Sequence, residues 1–227
     1  MSQTKKFIVW DWNGTLLDDT DAVLTCMNTS LSRIQCAPVT MEKLRDTQFV
    51  PLRNFYLSVG VPEEKLSEFL NFERGVFHDA YEALEDKAPL RTGASKLLQR
   101  LKTNNIVNLI VSNHILDQIA RLLHSHKIAE YFEEVLAYPS RALQFRDMTK
   151  GEKLHAYIKE KNLNASNAMI VGDTHEEIAI ARELGMGSIA ITNGLLSERR
   201  LRDMRPDYVV HSLDEIHPIL EQRGFVQ

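Results

Sequence analysis

Three short tracts hold the side chains best suited to chemistry: Asp11-Trp12-Asn13-Gly14-Thr15-Leu16, Ser112-Asn113-His114 and Gly172-Asp173-Thr174-His175-Glu176-Glu177. Each follows an apolar run. Between them they gather carboxylates, hydroxyls, amides and imidazoles. Taken singly, Ser112 or Asp173 reads as a helix cap. Three polar tips at the ends of three apolar runs are harder to explain by folding alone. In open α/β sheets, ligands gather beyond the carboxyl ends of the strands, where the strand order reverses. The three tracts are therefore candidate walls of one ligand site.

The elements that must position them follow from hydrophobic patterning. Short apolar runs at 7–10, 106–111, 135–137, 168–171, 188–191 and 208–210 read as buried strands. Helical stripes lie between the later ones: Leu97, Leu98 and Leu101, then Ile115, Ile119, Leu122 and Leu123, then Ile178, Ala181 and Leu184. Buried strands alternating with helices predict a doubly wound, Rossmann-like α/β domain with a parallel sheet covered on both faces. The interval 17–88 breaks the alternation. It carries only helix stripes, one through Val23, Leu24, Met27, Leu31 and Ile34, and a longer one through Leu66, Phe69, Leu70, Glu73, Phe77, Tyr81 and Leu84. The expectation is an α/β core of residues 1–16 and 89–227, with residues 17–88 inserted as an all-helical cap domain.

The composition narrows the function classes. The 227 residues carry a formal net charge of -4, with 26% charged and 44% hydrophobic residues. That balance favours neither nucleic acid nor an anionic membrane, both of which call for a basic stripe; Arg199-Arg200-Leu201-Arg202 reads as a solvated helix face. Cys26 and Cys36 form no CxxC pair, which fits a reducing, cytoplasmic setting, and Cys26 falls on a core-facing stripe. The run after Lys5-Lys6 is too short for a signal peptide, and no stretch reaches membrane-spanning length.

Asp-x-x-Gly-Thr-Leu after an apolar strand, then apolar-Ser-Asn, then a lysine, then Val-Gly-Asp-Thr, resembles the haloacid dehalogenase-like superfamily. The helical insertion after the first motif is similar to the subgroup that contains phosphoglycolate phosphatases. The resemblance extends from Phe7 to about Gly194. It implies a Mg²⁺-dependent phosphatase acting on a small organic phosphate ester. Asp11 would be the nucleophile, since a carboxylate attacking phosphorus divides one hard hydrolysis into two easier steps. Gly14 would turn backbone N–H groups toward the phosphate. Thr15 and Ser112 would offer hydroxyls, and Asn113 a further N–H. Asp11, Asp173 and the carbonyl of Asn13 would hold Mg²⁺, with Glu177 in its outer shell. Lys150 would offset phosphate charge and keep Asp11 ionised; Lys153 is the weaker candidate. Arg33, Arg45 and Arg53 are cap residues that could contact an anion.

Two departures from the family pattern matter. Glu177 stands where an Asp is usual, which keeps the charge. Asn13 stands where phosphatases of this kind carry a second Asp, and an amide cannot give and recover a proton as a carboxylic acid does. His114 and His175, at the same rim, could take over that task. Asn13 also favours a second reading, a relative that binds a phosphorylated ligand with little turnover. Dehalogenation or carbon–phosphorus cleavage is a third; intact Asp173 argues against the former, and no insertion lysine is singled out for the latter. Trp12 reads as packing, and Asp18 and Asp19 as the cap of the first insertion helix, outside the site.

Overall fold

The computed structural model describes residues 5–47, 52–70, 76–144 and 147–226. Strand β1 (Phe7–Trp10) leads into α1 (Thr20–Arg33), α2 (Met41–Thr47), α3 (Leu52–Ser58), α4 (Leu66–Phe69) and α5 (Val76–Glu85). The chain then runs through α6 (Ala94–Thr103), β2 (Val107–Ile115), α7 (Leu116–Ser125), β3 (Phe132–Tyr138), α8 (Lys150–Glu160) and β4 (Ala168–Gly172). It ends with α9 (His175–Leu184), β5 (Gly187–Ile191), α10 (Glu198–Asp203), β6 (Tyr208–Val210) and α11 (Ile216–Gln222). The strands form one parallel sheet in the order β3-β2-β1-β4-β5-β6.

Both faces of the sheet are buried, which is why its strands read as unbroken apolar runs. Alternation along β1 sends Ile8 and Trp10 to one face, where they pack with Leu97, Leu98 and Leu101 of α6, Ile119 of α7 and Leu220 of α11. Phe7 and Val9 face the other way, against Leu154 and Ile158 of α8 and Ile180 of α9. β1 sits where the strand order reverses, with β2 on one side and β4 on the other. The first residues past β1 and β4, Asp11 and Asp173, therefore open into one crevice.

All six expected strands are present. β2 runs further than its apolar core suggests, carrying Ser112, Asn113 and His114 within it and pairing Ile115 with Tyr138 after an irregularity beyond Val111. Between β1 and α6 the regular elements among the described residues are all helical, and isolated bridges join Leu17 to Asn13 and Leu90. The insertion has its own core, in which Met27, Leu31, Leu44, Phe55, Tyr56 and Leu66 are buried. The long stripe read through residues 66–84 is two helices, α4 and α5; its Glu73 lies outside the described residues. Cys26 is buried, as expected. No helix among the described residues is long and apolar enough to cross a membrane.

Leu98 is fully buried between α6 and the sheet. Leu98→Ala should cost about 2–5 kcal/mol through lost transfer energy and the cavity left behind. A lower urea midpoint at unchanged slope would report it.

Candidate functional site

Asp11 leaves β1 fully inside the crevice, 4% exposed, its backbone N–H bonded to the Val171 carbonyl of β4. Its carboxylate accepts from Lys150 Nζ at 2.9 Å. Lys150 is the first residue of α8, which starts with a capping box between Thr149 and Glu152. That cap fixes where α8 begins and hence where the ammonium points. The same ammonium donates to Glu177 Oε1 at 2.5 Å and lies 3.9 Å from Glu176. One buried cation thus sits between two buried carboxylates. Lys153, the rival candidate, lies instead over the Tyr138 ring, with its amine lowered to about 8 by burial.

Asp173 completes the acidic set. Carboxylate oxygens of Asp11, Asp173 and Glu177 lie within 4.8 Å of one another. Two glycines make room for them. Gly14 has φ +73°, a left-handed backbone that favours glycine, and a Cβ there would run into Asp173 Oδ2. A Cβ at Gly172 would collide with the Glu177 side chain, which folds back over the end of β4. Glu177 is also held by the Thr174 N–H and hydroxyl, in the capping box that opens α9.

Burial pushes the Asp11 carboxyl well above the usual range, and Glu177 and Asp173 add to this against the pull of Lys150. Asp173 is pushed up to about 6, first by burial and then by Glu177. For Glu177 burial also acts upward, but the Lys150 charge and the bonds from Lys150 and Thr174 outweigh it, and its carboxyl lies below the usual range. For Lys150 burial acts downward, yet the surrounding carboxylates raise it well above an ordinary amine. Three acids around one ammonium leave negative charge uncompensated. That is the donor set a hard divalent cation fits, and Asp11, Asp173 and Glu177 are the side chains that could hold it.

The other expected residues are placed as follows. The Thr15 hydroxyl lies between Asp11 and Asp173, at 3.4 and 3.3 Å. Ser112 is buried, its oxygen accepting the His114 N–H at 3.1 Å. The Asn113 amide donates to Glu176 at 2.6 Å. Asn13 turns its amide to the insertion, Nδ2 donating to Asp19 at 3.0 Å and to Tyr81 at 2.8 Å. His114 lies against buried Glu85 of α5, Nε2 to Oε1 2.6 Å. Trp12 is buried in the core.

Asp19 departs from its reading as a helix cap. It stands at the N-cap position of α1 but makes no capping bond. Instead it is buried, accepting the Gly14 N–H at 2.7 Å, the Asn13 amide and the Tyr81 hydroxyl. Burial raises its carboxyl, against those three donors. Arg91 was missed. It is buried, donates to the Thr192 carbonyl and adds positive charge near Asp173. Of the three insertion arginines, Arg45 ties α2 to the carbonyls of Asn193 and Gly194, and Arg53 pairs with Glu63. Arg33 lines a separate hollow on the insertion. The site itself opens into a cavity of about 210 Å³, bounded by Asp11, Ser112, Asn113, Lys150 and Glu176 on one side and by insertion residues on the other.

A crevice of this kind, with its acids at the switch point of a doubly wound sheet beneath a helical insertion, is the ligand site of a Rossmann-like α/β domain. The family model for haloacid dehalogenase-like hydrolases matches residues 8–191, and the chain belongs to that family. It is 25% identical over 224 residues to a phosphoglycolate phosphatase of Vibrio parahaemolyticus, covering 94% of this chain and 95% of that one. It is 22% identical to phosphoglycolate phosphatase 1 of Pseudomonas aeruginosa, covering 96% and 80%. Its fold matches a haloacid dehalogenase-like hydrolase from Streptococcus pneumoniae with a TM-score of 0.80 at 20% identity, covering 96% and 99% of the two chains.

Lys150→Met would leave Asp11 and Glu177 buried without their counter-charge. The expected cost is about 3–5 kcal/mol near neutral pH, as for other broken buried pairs. Glu177, whose carboxyl is lowered, stabilises the fold above its unfolded value, and this is lost as pH falls through the folded value. The gap between wild type and variant should therefore narrow on acidification in urea unfolding series.

Proposed function

We propose that the protein is a Mg²⁺-dependent phosphatase of small organic phosphate monoesters, working through a phosphoryl group carried on Asp11. The observation that carries this is the Asp11–Lys150–Glu177 cluster beside Asp173, buried at the strand ends and open to the cavity. The carboxylate of Asp11 attacks phosphorus, and the bond to the ester oxygen breaks. Water then hydrolyses the acyl phosphate, returning the carboxylate and releasing inorganic phosphate. Lys150 pulls the Asp11 carboxyl down against its burial and would counter charge on the phosphoryl oxygens. Thr15 and Ser112 supply hydroxyl donors. Asp11, Asp173 and the Asn13 carbonyl would hold Mg²⁺, with Glu177 beside them; the ion would neutralise the carboxylates and polarise the phosphoryl group. Residues 17–88 act as a cap over a core of residues 1–16 and 89–227, and its closure excludes water. The relatives make phosphoglycolate the reference substrate.

The proton for the leaving oxygen is the weak point of the site. Asn13 cannot supply it, and its amide is committed to Asp19 and Tyr81. A missing general acid costs about 10²–10⁴ in rate, least for leaving groups that need no proton. A second reading, ligand binding with little turnover, draws on this same feature.

Steady-state assays with Mg²⁺ and with EDTA should show metal-dependent release of phosphate, faster from aryl and acyl than from alkyl phosphates. Asp11→Asn should abolish all of it. Asn13→Asp should raise alkyl-phosphate turnover at least tenfold, because a carboxyl placed against Asp19 would retain a proton between the two acids. No turnover by either wild type or Asn13→Asp would favour the binding reading. Asp173→Ala should lose Mg²⁺ binding in calorimetry while keeping the fold; unchanged affinity would mean the metal site is elsewhere.

A further inference from the structure

The cavity changes character along its length, although Asp19, His78 and Tyr81 keep polar atoms on its insertion side. Beyond Asp11 and Lys150 it extends into the insertion's own apolar core, where Met27, Leu44, Phe55, Tyr56 and Phe77 line it, with Leu196 from the core side. Phe77 and Tyr81 stack with ring centroids 5.6 Å apart and planes 12° from parallel, forming a flat aromatic wall. Among the described lining residues, Lys150 is the one lysine or arginine, already bonded to Asp11 and Glu177; the imidazoles of His78, His114 and His175 also line it, His114 against Glu85. The arginines that could meet a second anion are engaged elsewhere: Arg45 with the Asn193 and Gly194 carbonyls, Arg91 with that of Thr192.

A carboxylate on the organic side of the substrate would have to leave water for this wall with no lysine or arginine on it, which is costly. An apolar group would gain from the same burial. About 150 Å³ of apolar cavity holds benzene, so about 210 Å³ suits a phosphoryl group and one ring or short branched chain. We propose that the substrate's organic group is apolar and about one ring in size, seated against Phe77, Tyr56, Met27 and Leu44. The site thus selects an arylalkyl, aryl or compact aliphatic phosphate over a carboxylated one such as phosphoglycolate. This rests on the phosphatase reading for turnover, but the pocket's preference can be measured without it.

Calorimetry with Mg²⁺ should compare two non-hydrolysable phosphonates, benzylphosphonate and phosphonoacetate. Benzylphosphonate should bind at least tenfold tighter. Phe77→Ala should weaken it about tenfold and leave phosphonoacetate unchanged. The wild-type comparison decides the matter alone should that variant fail to fold. Phosphonoacetate binding as tightly, or benzylphosphonate not binding, overturns the proposal. In turnover, benzyl phosphate should exceed phosphoglycolate in kcat/KM; both have alkyl leaving groups, which limits the influence of proton demand. The reverse order would overturn the substrate class and leave the phosphatase reading standing. Tight benzylphosphonate binding with no turnover of either ester would overturn the phosphatase reading and support the pocket's preference.

Discussion

A single ammonium shared between two buried carboxylates constrains everything around it. Lys150 Nζ lies 2.9 Å from Asp11 and 2.5 Å from Glu177, and all three residues are at most 4% exposed. Isolated charges at such depth would cost many kcal/mol, so each must be placed by something rigid. β1 places Asp11, the Thr149 capping box places Lys150, and the Thr174 capping box places Glu177. None of the three elements can shift by much without stranding a charge. The nearby Asp173 keeps the set net negative, and this excess suits both a hard cation and a phosphate bound through it.

The same constraint explains the bare backbone around the acids. Gly14 and Gly172 each occupy a spot where a methyl group would overlap Asp173 or Glu177. On the insertion side the contact with the first motif is a buried polar network. Asp19 gathers the Gly14 N–H, the Asn13 amide and the Tyr81 hydroxyl. The first motif is thereby joined to α5, whose Glu82 and Glu85, with Asp86 just past its end, reach Arg141, His114 and Arg121 of the core. Asn13 is part of this tether, and its amide donors suit that role better than a carboxylate would.

Much of this was legible in the sequence, for physical reasons. A parallel strand buried on both faces has to be apolar throughout, so the strands announced themselves as short unbroken runs. Asp11 and Asp173 were legible because each follows such a strand, and Lys150 because it opens the helix before β4. What escaped reading depends on contacts distant in sequence. Asp19 before a helix looks like a cap; its partner Tyr81, 62 residues on, is invisible to local patterning. Arg91 carries no motif, and only folding brings it near Asp173. Glu177 looked peripheral because its approach to Lys150 depends on the side chain folding back over Gly172. The extent of β2 was hidden because Ser112, Asn113 and His114 are polar, yet β3 pairs beyond them.

These acids are buried with too little positive charge, a deficit that a bound divalent cation would make up. Burial and then Glu177 push the Asp173 carboxyl up to about 6, so near that pH a cation bound there competes with a proton. Calorimetric titration of Mg²⁺ into the protein at about pH 5.5, repeated in buffers of different ionisation enthalpy, counts the protons released. Proton release at that pH that shrinks as the titration is repeated at higher pH is the predicted result; Mg²⁺ binding with no proton release at about pH 5.5 would contradict it.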